Sequence, residues 1–219
     1  MTFSILTFDR KTGVFAGAAA TGSLCVGGWV LRGDIESGLV ASQGTAPSTF
    51  WRDEGLRRLH AGQSSEAAVR ALTAADGGRD HRQMAALDRS GGAAAFTGAQ
   101  SIPHADAITE DNFVVAGNML SGPAVLEAMR DAATADHDTP AARMFAVLDA
   151  AQGAGGDSRG LQSAAMLILS PDAPPLDIRI DHAGDPVTAL RNLYDRTQAQ
   201  PYHGWLDEVP VLRDKNRAP

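Results

Sequence analysis

The sequence predicts an α/β protein folded as a four-layer α-β-β-α sandwich with mostly antiparallel sheets. Three observations predict it. Strand-like runs come in pairs joined by turn formers, several of these strands are apolar on both faces, and pairs of helical patterns separate the strand blocks. A sheet with one wet face needs only one apolar side, so each sheet is expected to be covered twice, by its sister sheet and by helices.

The elements follow in order. Thr2–Phe8 reads as a strand, Asp9–Gly13 as a turn, and Val14–Thr21 as the hairpin partner. Gly38–Gln43 is a further strand. After Pro47 two helical patterns are separated at Ala61-Gly62; in the second, Ser64 or Ser65 caps, and Ala68, Ala71, Leu72 and Ala75 share a face. Strands return at Gln83–Leu87 and Ala93–Thr97 around the turn Ser90-Gly91-Gly92, and at Phe113–Asn118. Two helices open at Gly122-Pro123 and Thr139-Pro140, where proline at the first helical position loses no hydrogen bond, and Gly153 stops the second. Gln162–Leu169 and Asp177–Asp181 are a strand pair, and Asp185-Pro186 begins a last helix.

With 219 residues, 44% hydrophobic and 21% charged, the chain has the composition of one folded unit. Residues 1–198 are expected to form that domain. Residues 199–219, rich in proline and mixed in charge, are expected to lie as an arm on the surface or on a neighbouring subunit, an arrangement open to a homo-oligomer. The net charge of −7 repels a phosphate backbone, so nucleic acid is not an expected partner. The longest dense apolar run, Ala164–Leu169, is too short to cross a bilayer. One cysteine, Cys25, leaves no internal disulfide and reads as a small core residue. Asp9, Arg10 and Lys11 interrupt any secretory pattern, and a reducing cytoplasm is the expected compartment.

Cofactors and metals are not implied. The six histidines lack metal-ligand spacing, and Gly153-x-Gly155 fails as a dinucleotide fingerprint because it follows a helix and position 158 is serine. His104 reads as a surface-loop histidine, and Arg79, Asp80 and Arg82 as a solvated charge cluster.

Thr2 is the first candidate for chemistry. A small second residue permits removal of the initiator Met1, leaving a threonine whose free α-amine, titrating at about 7.7–8.0 in model peptides, lies within reach of its own hydroxyl. One residue then supplies nucleophile and base; the alternative is a threonine that only starts a strand. Asn118 can donate to a developing oxyanion without titrating, or brace the turn into the next helix. Gln43, at a strand end, is a weaker candidate for lining the pocket. The glycine-rich run GGDSRGLQS presents Asp157, Arg159, Gln162 and Ser163. Asp157 can hold the α-amine, Arg159 a substrate carboxylate and Ser163 a proton path, or the first two form a structural pair fixing the loop.

The segments TFSILTFDRKTGVFAGAAATGS, SQGTAPS, RDHRQMAALD with AAFTGA, VAGNMLSGPAVLEAM and GAGGDSRGLQSAAML resemble, in order, the bacterial family called domain of unknown function 1028. The resemblance implies the fold of the N-terminal-nucleophile (Ntn) hydrolases and sets Thr2 at the nucleophile position. Many members end the second strand with a Ser-Lys pair; here the residues are Thr21-Gly22-Ser23, and the chain's two lysines, Lys11 and Lys215, are remote in sequence. That role is vacant, or Arg32 or Arg159 supplies the charge. Thr21 and Ser23 are accordingly expected to contact substrate.

The expected activity is hydrolysis of a small, carboxylate-bearing amide through an acyl-enzyme on Thr2. The competing reading is a non-catalytic ligand-binding or assembly module that keeps the fold, motivated by the absent lysine. A third uses Ser23 or Cys25 as an internal nucleophile.

Overall fold

The computed structural model describes residues 2–157 and 159–219. The strands are β1 (Thr2–Asp9), β2 (Val14–Thr21), β3 (Leu31–Asp34), β4 (Gly38–Gly44), β5 (Arg82–Asp88), β6 (Ala93–Thr97), β7 (Asp106–Glu110), β8 (Phe113–Asn118), β9 (Ser163–Leu169) and β10 (Leu176–Ile180). Helices are α1 (Val26–Trp29), α2 (Thr49–His60), α3 (Ser65–Ala74), α4 (Ala124–Thr134), α5 (Pro140–Gly153), α6 (Pro186–Thr197) and α7 (Tyr202–Trp205). One sheet runs β10-β9-β2-β1-β8-β7 and the other β3-β4-β5-β6, with every neighbouring pair antiparallel.

Strand periodicity sorts the core into three layers. On β1, Phe3 and Ile5 join Ala18 of β2, Val115 of β8 and Met166 of β9 beneath Met129, Met144 and Leu148 of α4 and α5. The alternate residues, Leu6, Ala19, Val114 and Leu167, face Leu39, Ala41, Ala85 and Leu87 of the smaller sheet. On that sheet's far side Val40, Met84 and Ala86 pack under Trp51, Leu59, Ala68 and Val69 of α2 and α3. Strands apolar on both faces therefore lie where two layers meet. Each large side chain buried here contributes roughly 1.5–3 kcal/mol relative to exposure, and β1, between both neighbours of its sheet, is fixed from both sides.

The helix starts follow their capping chemistry. Ser48, Ser64, Thr139 and Asp185 accept from the N–H groups of Trp51, Ala67, Ala142 and Thr188 at 3.2, 3.2, 3.0 and 3.1 Å. Pro140 and Pro186 occupy the first turn, whereas Pro123 stands one position earlier, as the N-cap of α4.

Several expectations are corrected. Cys25 is only partly buried: it precedes α1 in a left-handed conformation, φ 61°, and the core positions of this stretch are taken by Val26 and Val30 instead. The buried stripe of α3 is Ser65, Ala68, Val69 and Thr73, with Ala71 and Ala75 exposed, because the helix is rotated to set Ser65 on Asp88. Arg82 is no free surface charge; it pairs with Asp76 at 3.1 Å and lies 5.9 Å from the Trp51 ring. Strands β3 and β7 and the short α1 were not foreseen. The segment after Gln198 is not among these: within this chain it touches the surface, one of the two expected placements, where Arg213 grips the Asp172 carboxylate at 2.8 and 3.0 Å. No helix among the described residues is long and apolar enough to cross a membrane.

Candidate active site

Thr2 opens β1 with its side chain on the face that looks toward the second sheet, in phase with Leu6. Its cross-strand partners are Thr21 on β2 and Asn118 on β8. The sandwich is open at this end, and a cavity of about 560 Å³ lies there. Thr2, Thr21, Ser23, Gln43 and Arg159 all line it, together with Leu24, Val26, Trp29, Val30, Gly44, Thr45, Pro47 and Met119. Residues 157 positions apart in sequence meet because β1, β2 and β9 are adjacent and the loop before β9 returns to the end of β2.

The Thr2 hydroxyl donates to the Thr21 hydroxyl at 3.1 Å. Its carbonyl oxygen accepts from Nε2 of Gln43 at 3.3 Å, so the smaller sheet holds the first residue of the larger one. Gln43 is fully buried and donates again to Oε1 of Gln83 at 2.7 Å. Gln83 donates through Nε2 to Thr97 Oγ1 and to the carbonyls of Asp106 and Gly117 at 2.9, 3.0 and 2.9 Å, and its Oε1 also accepts from Asn118 Nδ2 at 3.3 Å. A chain of buried amides thus runs under Thr2 from one sheet to the other. Gln83 had no place among the expected site residues. The signal was present in its phase with Ala85 and Leu87, which puts a glutamine on a strand's buried face.

The remaining expected residues support the cavity from outside its lining. Asn118 is buried behind Thr2. Asp157, with its side chain fully enclosed, accepts from the main-chain N–H of Gly22 and of Arg159 and pairs with the Arg159 guanidinium at 3.1 Å. Ser163 donates to the Ser23 carbonyl at 2.7 Å and accepts from the Val26 N–H at 3.1 Å, and Gln162 donates to the Gly22 carbonyl at 3.1 Å. These contacts fix the Gly22–Val26 turn against the loop that carries Arg159. Arg159 leaves 43% of its side chain exposed and brings positive charge to the rim.

Arg32 does not reach this cavity. It lines a separate cavity of about 440 Å³ and approaches Asp53 at 3.5 Å. Cys25 is absent from the lining of the Thr2 cavity, whereas Ser23 is part of it. His104 exchanges main-chain hydrogen bonds with Leu120. Among the described residues, no group of three or more His, Cys, Asp or Glu is placed to hold a metal ion. The fate of Met1 lies outside the described residues, as does Ser158.

Comparisons with known proteins agree with this architecture. A family of unknown function, DUF1028, matches residues 2–190. A crystal structure of a protein of that family from Silicibacter pomeroyi superposes with a TM-score of 0.94 at 50% identity, covering 99% of this chain and 98% of that one. The eukaryotic HslV from Trypanosoma brucei superposes with a TM-score of 0.51 at 12% identity, covering 77% of this chain and 99% of that one. The second likeness shows the shared Ntn-hydrolase fold alone. No curated protein matches.

Proposed function

The chain belongs to the DUF1028 family on the Ntn-hydrolase fold, and from that premise we propose that it is an amide hydrolase whose nucleophile is Thr2. The observation that carries this reading is the position of Thr2: the first strand's first described residue, hydroxyl in the cavity, flanked by Thr21 and Asn118. With Met1 removed, the α-amine takes the proton as Oγ1 attacks the amide carbon. The carbonyl oxygen becomes an oxyanion. Asn118, one of whose two Nδ2 hydrogens is committed to Gln83, has a second with which to stabilise it once the substrate carbonyl reaches past Thr2 to this buried amide. The ammonium then protonates the departing nitrogen, and water cleaves the ester left on Thr2.

Intact-mass measurement of untagged protein, followed by treatment with an amine- and hydroxyl-directed electrophile, tests the reading. Loss of Met1, an adduct on Thr2 and a rate that rises as the amine deprotonates, at about pH 7–8, are expected. Retained Met1, or an adduct elsewhere, sinks it. A second reading, a binding module without catalysis, is favoured by Gly22, which places no lysine beside Thr2. Equal ligand binding by wild type and Thr2→Ala with turnover by neither establishes that reading instead.

A further inference from the structure

The amide chain under Thr2 has a consequence for what the cavity accepts. Gly117 and Asp106 offer carbonyl oxygens, which only accept, so Gln83 must aim its Nε2 at them and its Oε1 at Gln43. Gln43 must then present Nε2 to Gln83, and its Oε1 is fixed as an acceptor facing away. That oxygen is buried and has no donor among the described residues, in a residue 2% exposed that lines the cavity. A buried acceptor without a donor costs about 1–3 kcal/mol, so a ligand N–H is the group that completes it.

Two further features surround this acceptor. Arg159, held on Asp157 through Nε and Nη2, leaves 43% of its side chain exposed at the rim, where its positive charge attracts a carboxylate. Leu24 and Trp29 are each 52% exposed beside buried Val30, an apolar wall that packing leaves uncovered. Resting on the hydrolase reading, we infer that the cavity takes N-acyl amino acids with an apolar side chain, the smallest compounds that carry an amide N–H, a carboxylate and an apolar group together. The amide N–H meets Gln43 Oε1, the carboxylate meets Arg159, and the side chain lies on Leu24 and Trp29. Binding then puts the acyl carbon beside Thr2.

The test uses calorimetric binding to the full-length Thr2→Ala protein, which separates recognition from turnover. N-acetylphenylalanine is compared with its carboxamide, with N-acetyl-N-methylphenylalanine, which lacks the amide N–H, and with N-acetylglycine. Each comparator is expected to bind about tenfold more weakly or worse, the loss of one hydrogen-bonded or apolar contact. In Arg159→Gln the preference for acid over carboxamide is expected to vanish. Equal binding of the N-methyl compound, an undiminished acid preference in Arg159→Gln, or no binding of the acid at millimolar concentration overturns the inference. Binding with this pattern but no turnover by wild type upholds the ligand class and removes the hydrolase reading. Turnover of amides regardless of carboxylate or N–H does the reverse.

Discussion

The main-chain N–H of Gly22 donates to Oδ2 of Asp157, and a Cβ at Gly22 would overlap that same oxygen. The carboxylate occupies the space that any side chain at position 22 would need. Positive charge therefore enters the site from Arg159, two residues beyond the carboxylate, and not from the end of β2. Gly22→Ala is expected to push Asp157 and the Arg159 loop away at a cost of about 1–3 kcal/mol. Urea denaturation measures the loss, and an unchanged midpoint would show that the loop yields without penalty.

Arg52 holds the apolar rim from beneath. Only 4% exposed, it donates through Nη1 to the carbonyls of Gly28 and Trp29 and through Nε to Asp53 at 2.9 Å. The hydrogen bond from Arg52 is the chief reason the Asp53 carboxyl is held below the usual range. Arg52→Met is expected to destabilise the protein by about 2–3 kcal/mol, since hydrogen bonds to charged groups are the stronger kind. It should also raise the exposure of Trp29 to a soluble fluorescence quencher, read against a Trp29→Phe control. No change in quenching would mean that α1 holds the tryptophan alone.

Asp88 links the smaller sheet to α3. Burial, the largest single influence, pushes its carboxyl upward, but hydrogen bonds from the Ser90 hydroxyl and from the N–H groups of Ser65, Ser90 and Gly92 together leave it below the ordinary value. A carboxyl lowered in the folded state contributes stability that is fully present above its unfolded value of about 3.9 and is lost as the pH falls through the folded one. Asp88→Asn is expected to cost about 1–3 kcal/mol at pH 7 and to flatten the acid limb of the stability profile. Denaturation midpoints at pH 7 and in the acid range test both, and parallel profiles would exclude Asp88 as a source of the acid dependence.

The layers were legible because the strands announce them. Phe3 and Ile5 against Leu6, or Met84 against Ala85 and Leu87, are apolar in both phases, which only a strand between two packed layers requires. Thr139 and Asp185 mark helix starts through local hydrogen bonds that the sequence states directly. Strand β3 was hidden because Leu31-Arg32-Gly33-Asp34 carries one large apolar residue; β4 and the sheet edge make it a strand. At the site, Thr2, Thr21 and Gln43 follow from strand ends, since a hairpin fixes which residues share an edge. Ser163 and Gln162 were legible as residues but not in their contacts, because a clamp on the carbonyls of Ser23 and Gly22 depends on β9 lying beside β2. Gln83 has the same limitation: its partners come from β4, β6, β7 and β8, and no local pattern names them.

Gln83 is therefore the sharpest single test of the buried amide chain. Gln83→Leu keeps the volume but leaves the carbonyls of Gly117 and Asp106 and the amides of Gln43 and Asn118 without their partner. A loss of at least about 3 kcal/mol is expected, since several buried polar groups go unsatisfied at once. Gln83→Glu separates polarity from proton donation. As a carboxylate it accepts from Gln43 and Asn118 but faces the two carbonyls with negative charge, so the folded state favours the protonated acid and the folded pKa rises. The native form then binds a proton that the unfolded chain releases above about pH 4.3. Stability of Gln83→Glu relative to wild type should increase as the pH falls from 7 toward that value. A pH-independent difference between the two proteins would mean that residue 83 does not sit between donors and carbonyls, and the fixed orientation of Gln43 would go with it.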